Sequence, residues 1–326
     1  MIVVTGGAGF IGSNLVARLT GVYEARREVA VIDWLGSDQK WRNLASSALS
    51  HLIPPEESLE FLNHHARATT AVVHLGAISS TTVTDGDAVA KWNIHSSLSL
   101  ADWCYERGIK FLYASSAATY GDGSQGFVAR TDLEYLRKLR PLNLYGWSKH
   151  CVDLALARRG RFAADALAVT LGLKFFNLYG ANEYHKGSQQ STVAHFYRQI
   201  RDTGRANLFK SYRPDFQHGE QLRDFVAVTD CVNQIVKIID HGQMSGIANL
   251  GTGKARSFND LARAVFAALN LPPQLDYVDM PESLRDKYQY FTQAGDLIDD
   301  GYPYASLEVG VRNYVRDHLS KDNPYL

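Results

Sequence analysis

Four glycines within seven residues, Gly6-Gly7-Ala8-Gly9-Phe10-Ile11-Gly12, directly follow the β-branched stretch Met1 to Thr5 (MIVVT). A short apolar run stopped by glycines reads as a buried strand, and Ile11 to Leu19 then carries apolar residues at helical spacing. Gly7, Gly9 and Gly12 fit GxGxxG, while Gly6, Gly9 and Gly12 fit GxxGxxG. Such a turn lets backbone approach a pyrophosphate, and the helix N-terminus adds free N–H groups and a positive dipole end. A second strand, Val29 to Asp33, closes on an acid 21 residues beyond Gly12, where a carboxylate can bind an adenosine ribose. Strand, glycines, helix, strand and acid in this order predict a dinucleotide-binding unit. Asp33 repels a ribose 2′-phosphate and so favours NAD, whereas the nearby Lys40 and Arg42 can neutralise one. The residues leave NAD and NADP both open.

The strand pattern repeats at Ala71 to Leu75, at Phe111 to Ser115 and within Ala166 to Phe175, with helical stretches at Ala88 to Arg107 and Leu144 to Arg159. Strand alternating with helix at this spacing predicts an α/β fold, a Rossmann-type doubly wound parallel sheet covered on both faces. Beyond Asn177 the rhythm loosens. A polar loop (Tyr179 to Ser188) leads to a helix over Thr192 to Thr203 and an irregular stretch over Lys210 to Gln221. Arg223 to Val228 resumes a strand, a helix runs to about Ile239, and Ser257 caps another helix. The organisation predicted is a dinucleotide-binding domain over 1–175 and about 223–246. A smaller, discontinuous substrate lobe takes about 176–222 and 247–326.

At 326 residues with 45% hydrophobic and 21% charged content, the chain can bury a sizeable core. Its 34 basic and 34 acidic residues cancel, which points away from a nucleic-acid binder or a basic membrane-surface helix. Three scattered cysteines argue against a disulfide framework or zinc ribbon, and the His64-His65 pair has no cluster of ligands around it. A cytoplasmic, metal-free protein is expected, without a leader or an 18-residue apolar run. Trp92, Trp103 and Trp147 read as packing residues.

Tyr145-Gly-Trp-Ser-Lys149 lies in a helical stretch, and i, i+4 spacing puts Tyr145 and Lys149 on one face. A phenol with a reference pKa near 10 is a poor base at neutral pH, but a nearby ammonium and a positive nicotinamide favour the phenolate. Such a tyrosine can take a hydroxyl proton while hydride leaves the same carbon. Ser116, at the end of a strand, can hold the substrate oxygen beside it.

TGGAGFIG, YASSAATYG (Tyr113 to Gly121) and YGWSK together resemble the extended short-chain dehydrogenase/reductase family of nucleotide-sugar enzymes. HLGAISSTTVTD (His74 to Asp85), KFFNLYGANEYHKGS (Lys174 to Ser188), RDFVAVTD (Arg223 to Asp230), ANLGTG (Ala248 to Gly253) and KYQYFTQA (Lys287 to Ala294) are similar, within that family, to the ADP-glyceromanno-heptose 6-epimerases. The likeness runs nearly end to end. It implies an isomerase acting on ADP-heptose for the lipopolysaccharide inner core, with a tightly held NADP reduced and reoxidised in each turnover, and a homo-oligomer, a pentamer in that group.

A carbon attacked from either side calls for two acid/base groups. The resemblance gives these roles to Tyr145 and Lys186, with Lys149 tuning Tyr145 and orienting the nicotinamide ribose. On the cofactor side it implies the glycine loop with Phe10 and Ile11, then Asp33, Trp34, Lys40, Leu75, Gly76, Ala77, Ile78, Ser79, Asn93, Tyr145, Lys149, Leu178 and Lys186. On the substrate side it implies Ser116, Asn177, Ser188, His195, Phe209, Lys210, Ser211, Tyr212, Arg213, Arg223 and Tyr288.

Three departures from the family pattern stand out. Tyr212 to Leu222 is extended and brings in Arg213, so the diphosphate role falls to Arg213, Arg223 or both. Pro54-Pro55 replaces a lysine, which weakens one cofactor contact. Gln189-Gln190 follows HKGS where a small or apolar pair is usual. The rival readings are an epimerase or reductase of another nucleotide sugar, such as a UDP-hexose 4-epimerase, and a noncatalytic NAD(P)-binding sensor. A 4,6-dehydratase is disfavoured because Ala117-Ala118, not an Asp-Glu pair, follow Ser116.

Overall fold

The computed structural model describes residues 1–21, 27–285, 288–299 and 301–326. Lys287, which opens the KYQYFTQA segment, lies outside these residues. In chain order the strands are β1 Ile2–Thr5, β2 Val29–Ile32, β3 His51–Ile53, β4 Ala71–His74, β5 Lys110–Ser116, β6 Thr170–Phe175, β7 Asn177–Tyr179, β8 Ala206–Phe209, β9 Leu222–Ala227, β10 Gly246–Leu250, β11 Ala255–Ser257 and β12 Leu275–Val278. Seven of them form a parallel sheet in the order β10-β6-β5-β4-β1-β2-β3. β1, β2, β4 and β6 are buried along their whole length, as strands covered on both faces must be.

Leu15, Val16 and Leu19 of helix Phe10–Thr20 share one core with Val232, Ile235 and Ile238 of helix Val228–His241. On the opposite face, Leu62, Leu100, Trp103, Val152 and Leu156 pack from helices Ser58–His64, Ser96–Glu106 and Leu144–Arg158. The long helix expected over Ala88 to Arg107 is interrupted: Ala90–His95 is wound as a π-helix before Ser96. Trp103 is buried as expected, whereas Trp147 is 45% exposed.

A three-stranded sheet (β11-β9-β7) and a two-stranded sheet (β12-β8) build the smaller lobe. Its core gathers Phe196, Leu208, Phe225, Leu261, Phe266, Val311 and Tyr314. The stretch 223–246 divides between the two parts. β9 pairs with β7 and β11 in the small sheet, while the helix after it packs on the large one. β10 pairs with β6, so residues 246–250 complete the main sheet. Strand order reverses at β1 and β4, and a crevice opens there at the carboxyl ends of the strands.

Candidate active site

That crevice is a cavity of about 860 Å³, and the glycine loop forms its floor. Gly6 has φ +67°, and a Cβ on it would stand 2.5 Å from the Gly76 amide nitrogen at the end of β4. A Cβ on Gly12 would stand 2.1 Å from the Gly6 carbonyl oxygen, so the helix can start this close to the loop only without a side chain. A Cβ on Gly7 would meet Val31 at 2.7 Å. Gly9 caps the helix with no side-chain hydrogen bond, and Gly9, Phe10, Ile11 and Gly12 face the cavity. Free N–H groups at the start of an 11-residue helix, above a bare backbone cradle, fit a pyrophosphate.

Asp33 follows β2. Its two oxygens are already engaged: Oδ2 accepts from the Ala8 amide at 2.9 Å and Oδ1 from Lys40 Nζ at 2.8 Å. Lys40 also donates to the Trp34 carbonyl at 2.7 Å. The acid expected at the ribose is therefore neutralised where it sits, and a ribose oxygen would join an existing ion pair. Arg42 takes no part. It donates to Gln39 and lies 4.5 Å over the Tyr325 ring.

Leu75, Gly76, Ala77, Ile78, Ser79 and Leu178 all line the cavity. Asn93 does not. It is fully buried, accepts from the Ile78 amide at 2.8 Å, and donates to the Ile78 carbonyl and the Ser148 hydroxyl, both at 3.0 Å. Its place is to brace the loop after β4 against the Tyr145 helix. Trp92, expected to be packing, lines the cavity and meets Trp34 edge to face at 4.5 Å. Pro55 also lines it, and Glu56 beside it accepts from the Trp34 indole at 3.0 Å.

Ser116, Tyr145 and Lys149 converge on one wall. Asn143 caps their helix by accepting from the Gly146 amide at 2.8 Å. A Cβ on Gly146 would lie 2.8 Å from the Ala118 carbonyl oxygen, and this close approach brings Tyr145 to Ser116. Burial raises the Tyr145 pKa and a hydrogen bond with Ser116 pulls it down, with the net shift upward. In the protein alone, desolvation of the phenolate therefore wins. Lys149 is 1% exposed, and burial lowers its pKa to about 8 against the opposing pull of Asp153. Such a site can exchange a proton with a hydroxyl once a further positive charge is near Tyr145.

Lys186 reaches the same cavity from the turn Tyr184–Gln189, with Nζ 5.1 Å from the centre of the Phe10 ring. Burial lowers its pKa and Glu183 partly offsets this. Glu183 fixes the turn: it accepts from the amide and hydroxyl of Ser191 and from Tyr314. Asn177 and Ser188 line the cavity too. His195 does not. Arg198 donates to its Nδ1 at 3.0 Å, which leaves Nε2–H to donate to the Ser188 carbonyl at 3.1 Å.

The remaining expected substrate residues form a second cluster in the smaller lobe, apart from the cavity wall. The Phe209 and Tyr288 rings stand 6.4 Å apart, and the Arg223 guanidinium lies 5.1 Å from the Tyr288 ring. Arg223 is 7% exposed and donates to the Leu222 and Gln289 carbonyls, so its fork is turned inward. Arg213 pairs with Asp215 and lies over the Phe216 and Tyr290 rings. Lys210 and Tyr212 both reach Asp279, while Ser211 donates to the Arg213 carbonyl. Gln189 and Gln190, the departure noted after HKGS, line the cavity, and so do His185, Thr81 and Thr82, which were given no role from the sequence. Only the adjacency of His185 to Lys186 could have marked it.

A family model described as the NAD dependent epimerase/dehydratase family matches residues 2–251. An ADP-L-glycero-D-manno-heptose-6-epimerase of Nitratidesulfovibrio vulgaris is 44% identical over 332 residues, covering 100% of both chains. One of Fusobacterium nucleatum is 41% identical, also over 100% of both. Among solved structures, the Helicobacter pylori ADP-L-glycero-D-manno-heptose-6-epimerase superposes with a TM-score of 0.75 at 26% identity, covering 97% of this chain and 95% of its own. The NAD complex of Thermus thermophilus UDP-glucose 4-epimerase shares the fold at a TM-score of 0.73 and 24% identity, over 98% and 99%. A nicotinamide dinucleotide accordingly fits the glycine cradle both by shape and by kinship, and the chain belongs to the NAD dependent epimerase/dehydratase family.

Proposed function

We propose that this chain converts ADP-D-glycero-D-manno-heptose to ADP-L-glycero-D-manno-heptose by transient oxidation at C6 and return of hydride to the opposite face. The observation that carries the reading is the meeting of two independent acid/base groups in one cavity. Tyr145 arrives on helix Leu144–Arg158 and Lys186 on the separate turn Tyr184–Gln189. Epimerisation needs a group on each side of the carbon; a one-way reductase needs one. The family's nicotinamide, when bound, supplies the hydride acceptor and donor. Ser116 holds the substrate oxygen and Tyr145 moves its proton for one epimer. Lys186, its ammonium destabilised by burial, does so for the other. Lys149 orients the nicotinamide ribose and supplies positive charge behind Tyr145.

NADP is the cofactor of this reading, because Lys40 already neutralises Asp33 at the ribose. Names at 41–44% identity over full length support the heptose substrate. The reading includes a homo-oligomer, a pentamer, working in the cytoplasm toward the lipopolysaccharide inner core, as the sequence resemblance implies.

Proton NMR with ADP-D-glycero-D-manno-heptose in heavy water, without added cofactor, tests the reading. Conversion to the L-glycero epimer with no deuterium at C6 is expected. Conversion with deuterium at C6 overturns the oxidation mechanism. No conversion by protein shown to hold cofactor overturns the heptose substrate.

A further inference from the structure

Asn43 lies beneath the glycine loop with 2% of its surface exposed. Its Nδ2 donates to the Ala8 carbonyl at 2.8 Å and stands 3.0 Å from His185 Nδ1. The opposite amide orientation would set two acceptor oxygens against each other at Ala8, so the nitrogen belongs where it is. An amide nitrogen carries two hydrogens and accepts nothing. His185 Nδ1 must therefore be the acceptor, and the ring proton sits on Nε2. Asn43 is buried away from the cavity while His185 lines it, so the ring edge bearing Nε2–H is the edge that faces in. Nε2 has no hydrogen-bond partner among the described residues.

Position says what this donor is for. Burial lowers the His185 pKa, Lys40 and Lys186 lower it further, and Asp38 and Asp33 oppose them. The ring stands in the combined field of Lys40, at the ribose acid, and Lys186, over Phe10 at the helix start. A neutral N–H in the field of two ammonium groups, lining the same cavity as an open helix N-terminus, suits anionic oxygen.

We propose that His185, locked by Asn43 as the Nε2–H tautomer, donates that hydrogen bond to a phosphate oxygen of the bound dinucleotide. Both the pyrophosphate and a ribose 2′-phosphate carry such an oxygen. The inference rests on the nicotinamide cofactor and is independent of which sugar is turned over.

Equilibrium binding of NADPH and NADH, read by nicotinamide fluorescence, tests it in the full chain with His185→Phe and His185→Gln. Losing a charge-assisted hydrogen bond should weaken binding by roughly tenfold or more in His185→Phe, and His185→Gln, which keeps an N–H donor, should recover part of this. Loss confined to NADPH assigns the 2′-phosphate, and equal loss for both assigns the pyrophosphate. Unchanged binding of both by His185→Phe overturns the proposal. Nitrogen-15 NMR of the unsubstituted protein provides a second readout, independent of how the variants fold. A protonated Nε2 whose resonance moves when dinucleotide binds is expected. A protonated Nδ1, or an Nε2 resonance indifferent to the dinucleotide, overturns it.

Discussion

Lys174 on β6 and Asp153 on the Tyr145 helix meet at 2.6 Å, both 1% exposed or less. Asp153 also accepts from the Tyr113 and Ser115 hydroxyls at 2.8 and 2.9 Å. Lys174 donates to Thr119, whose hydroxyl donates in turn to the Ser116 carbonyl at 2.7 Å. Tyr145, Lys149 and Asp153 follow one another at i, i+4 along the helix, so this knot clamps the reactive face of the helix to the strand that carries Ser116. A buried pair satisfied on every side is costly to break from one side.

Asp153→Asn should therefore destabilise the fold by about 3–5 kcal/mol, since Lys174 keeps a buried charge without its partner. Replacing both partners with apolar residues, Asp153→Leu with Lys174→Met, should cost less than the single change. Urea denaturation of the two variants makes the comparison. A double variant less stable than Asp153→Asn would refute the account.

Tyr145→Phe should lower epimerisation by about 10²–10⁴-fold while leaving dinucleotide binding intact, because the ring still fills its place and only the proton carrier is gone. Lys186→Met should lower turnover to a similar degree from the other side of the cavity, and should also weaken dinucleotide binding, because its ammonium stands over Phe10 at the start of the cofactor helix. Single-turnover assays alongside cofactor titration check both. Retention of wild-type turnover by either variant would remove that residue from the proposed pair.

Acid should unfold the protein partly through His74. Its ring is 3% exposed and hydrogen-bonded to Thr5 at 2.6 Å and Ser97 at 2.8 Å. Burial, with Lys149 adding to it, lowers its pKa from 6.5 to about 3. The unfolded chain takes up this proton below 6.5 and the folded one refuses it until about 3, so stability falls as pH drops through that window. Denaturation midpoints between pH 7 and 4 should show a proton uptake on unfolding that is smaller by close to one in His74→Gln than in the parent. Equal uptake in both proteins would contradict the burial argument.

Gly12→Ala should cost the cofactor site its shape. The new Cβ would lie 2.1 Å from the Gly6 carbonyl oxygen, a contact that only backbone movement relieves. Overpacking of this kind costs roughly 1–3 kcal/mol, and the moved loop should no longer hold a dinucleotide. Calorimetric titration with NADPH measures the loss, and near-normal affinity would show that the loop can yield.

Gln189 closes the cavity mouth by donating to the Ser80 hydroxyl at 2.6 Å, joining the Lys186 turn to the loop after β4. Gln189 is exposed and Ser80 half-buried, so Gln189→Ala should leave the melting temperature unchanged. Loss of one hydrogen bond, about 1 kcal/mol, should speed exchange of bound cofactor several-fold. Exchange of the resident nucleotide against labelled cofactor follows this directly.

Much of the architecture was legible along the chain. β1, β2 and β4 are short, almost wholly apolar runs, β5 and β6 carry the apolar stretches FLYA and LGL, and the glycine fingerprint predicts the turn that structure places between β1 and its helix. The shorter strands were not: β3 has an exposed Leu52, and β7, β8, β11 and β12 are three or four residues long, too brief for a period of two to register. The π-wound segment at Ala90–His95 left no mark either, since its residues keep an ordinary helical composition.

What the sequence determined on its own was local: a glycine loop with no room for side chains, and a tyrosine and lysine one helical turn apart. Both follow from backbone geometry over a few consecutive residues. Which groups face the ligand was decided by tertiary structure. Asn93 turned to brace Ile78, His195 to hold the Ser188 carbonyl, and Arg223 to its neighbours' backbone, while Trp92 and His185 were delivered to the cavity. A polar side chain goes to whichever partner satisfies it on burial. For His185 that partner is Asn43, 142 residues away, a distance no motif spans.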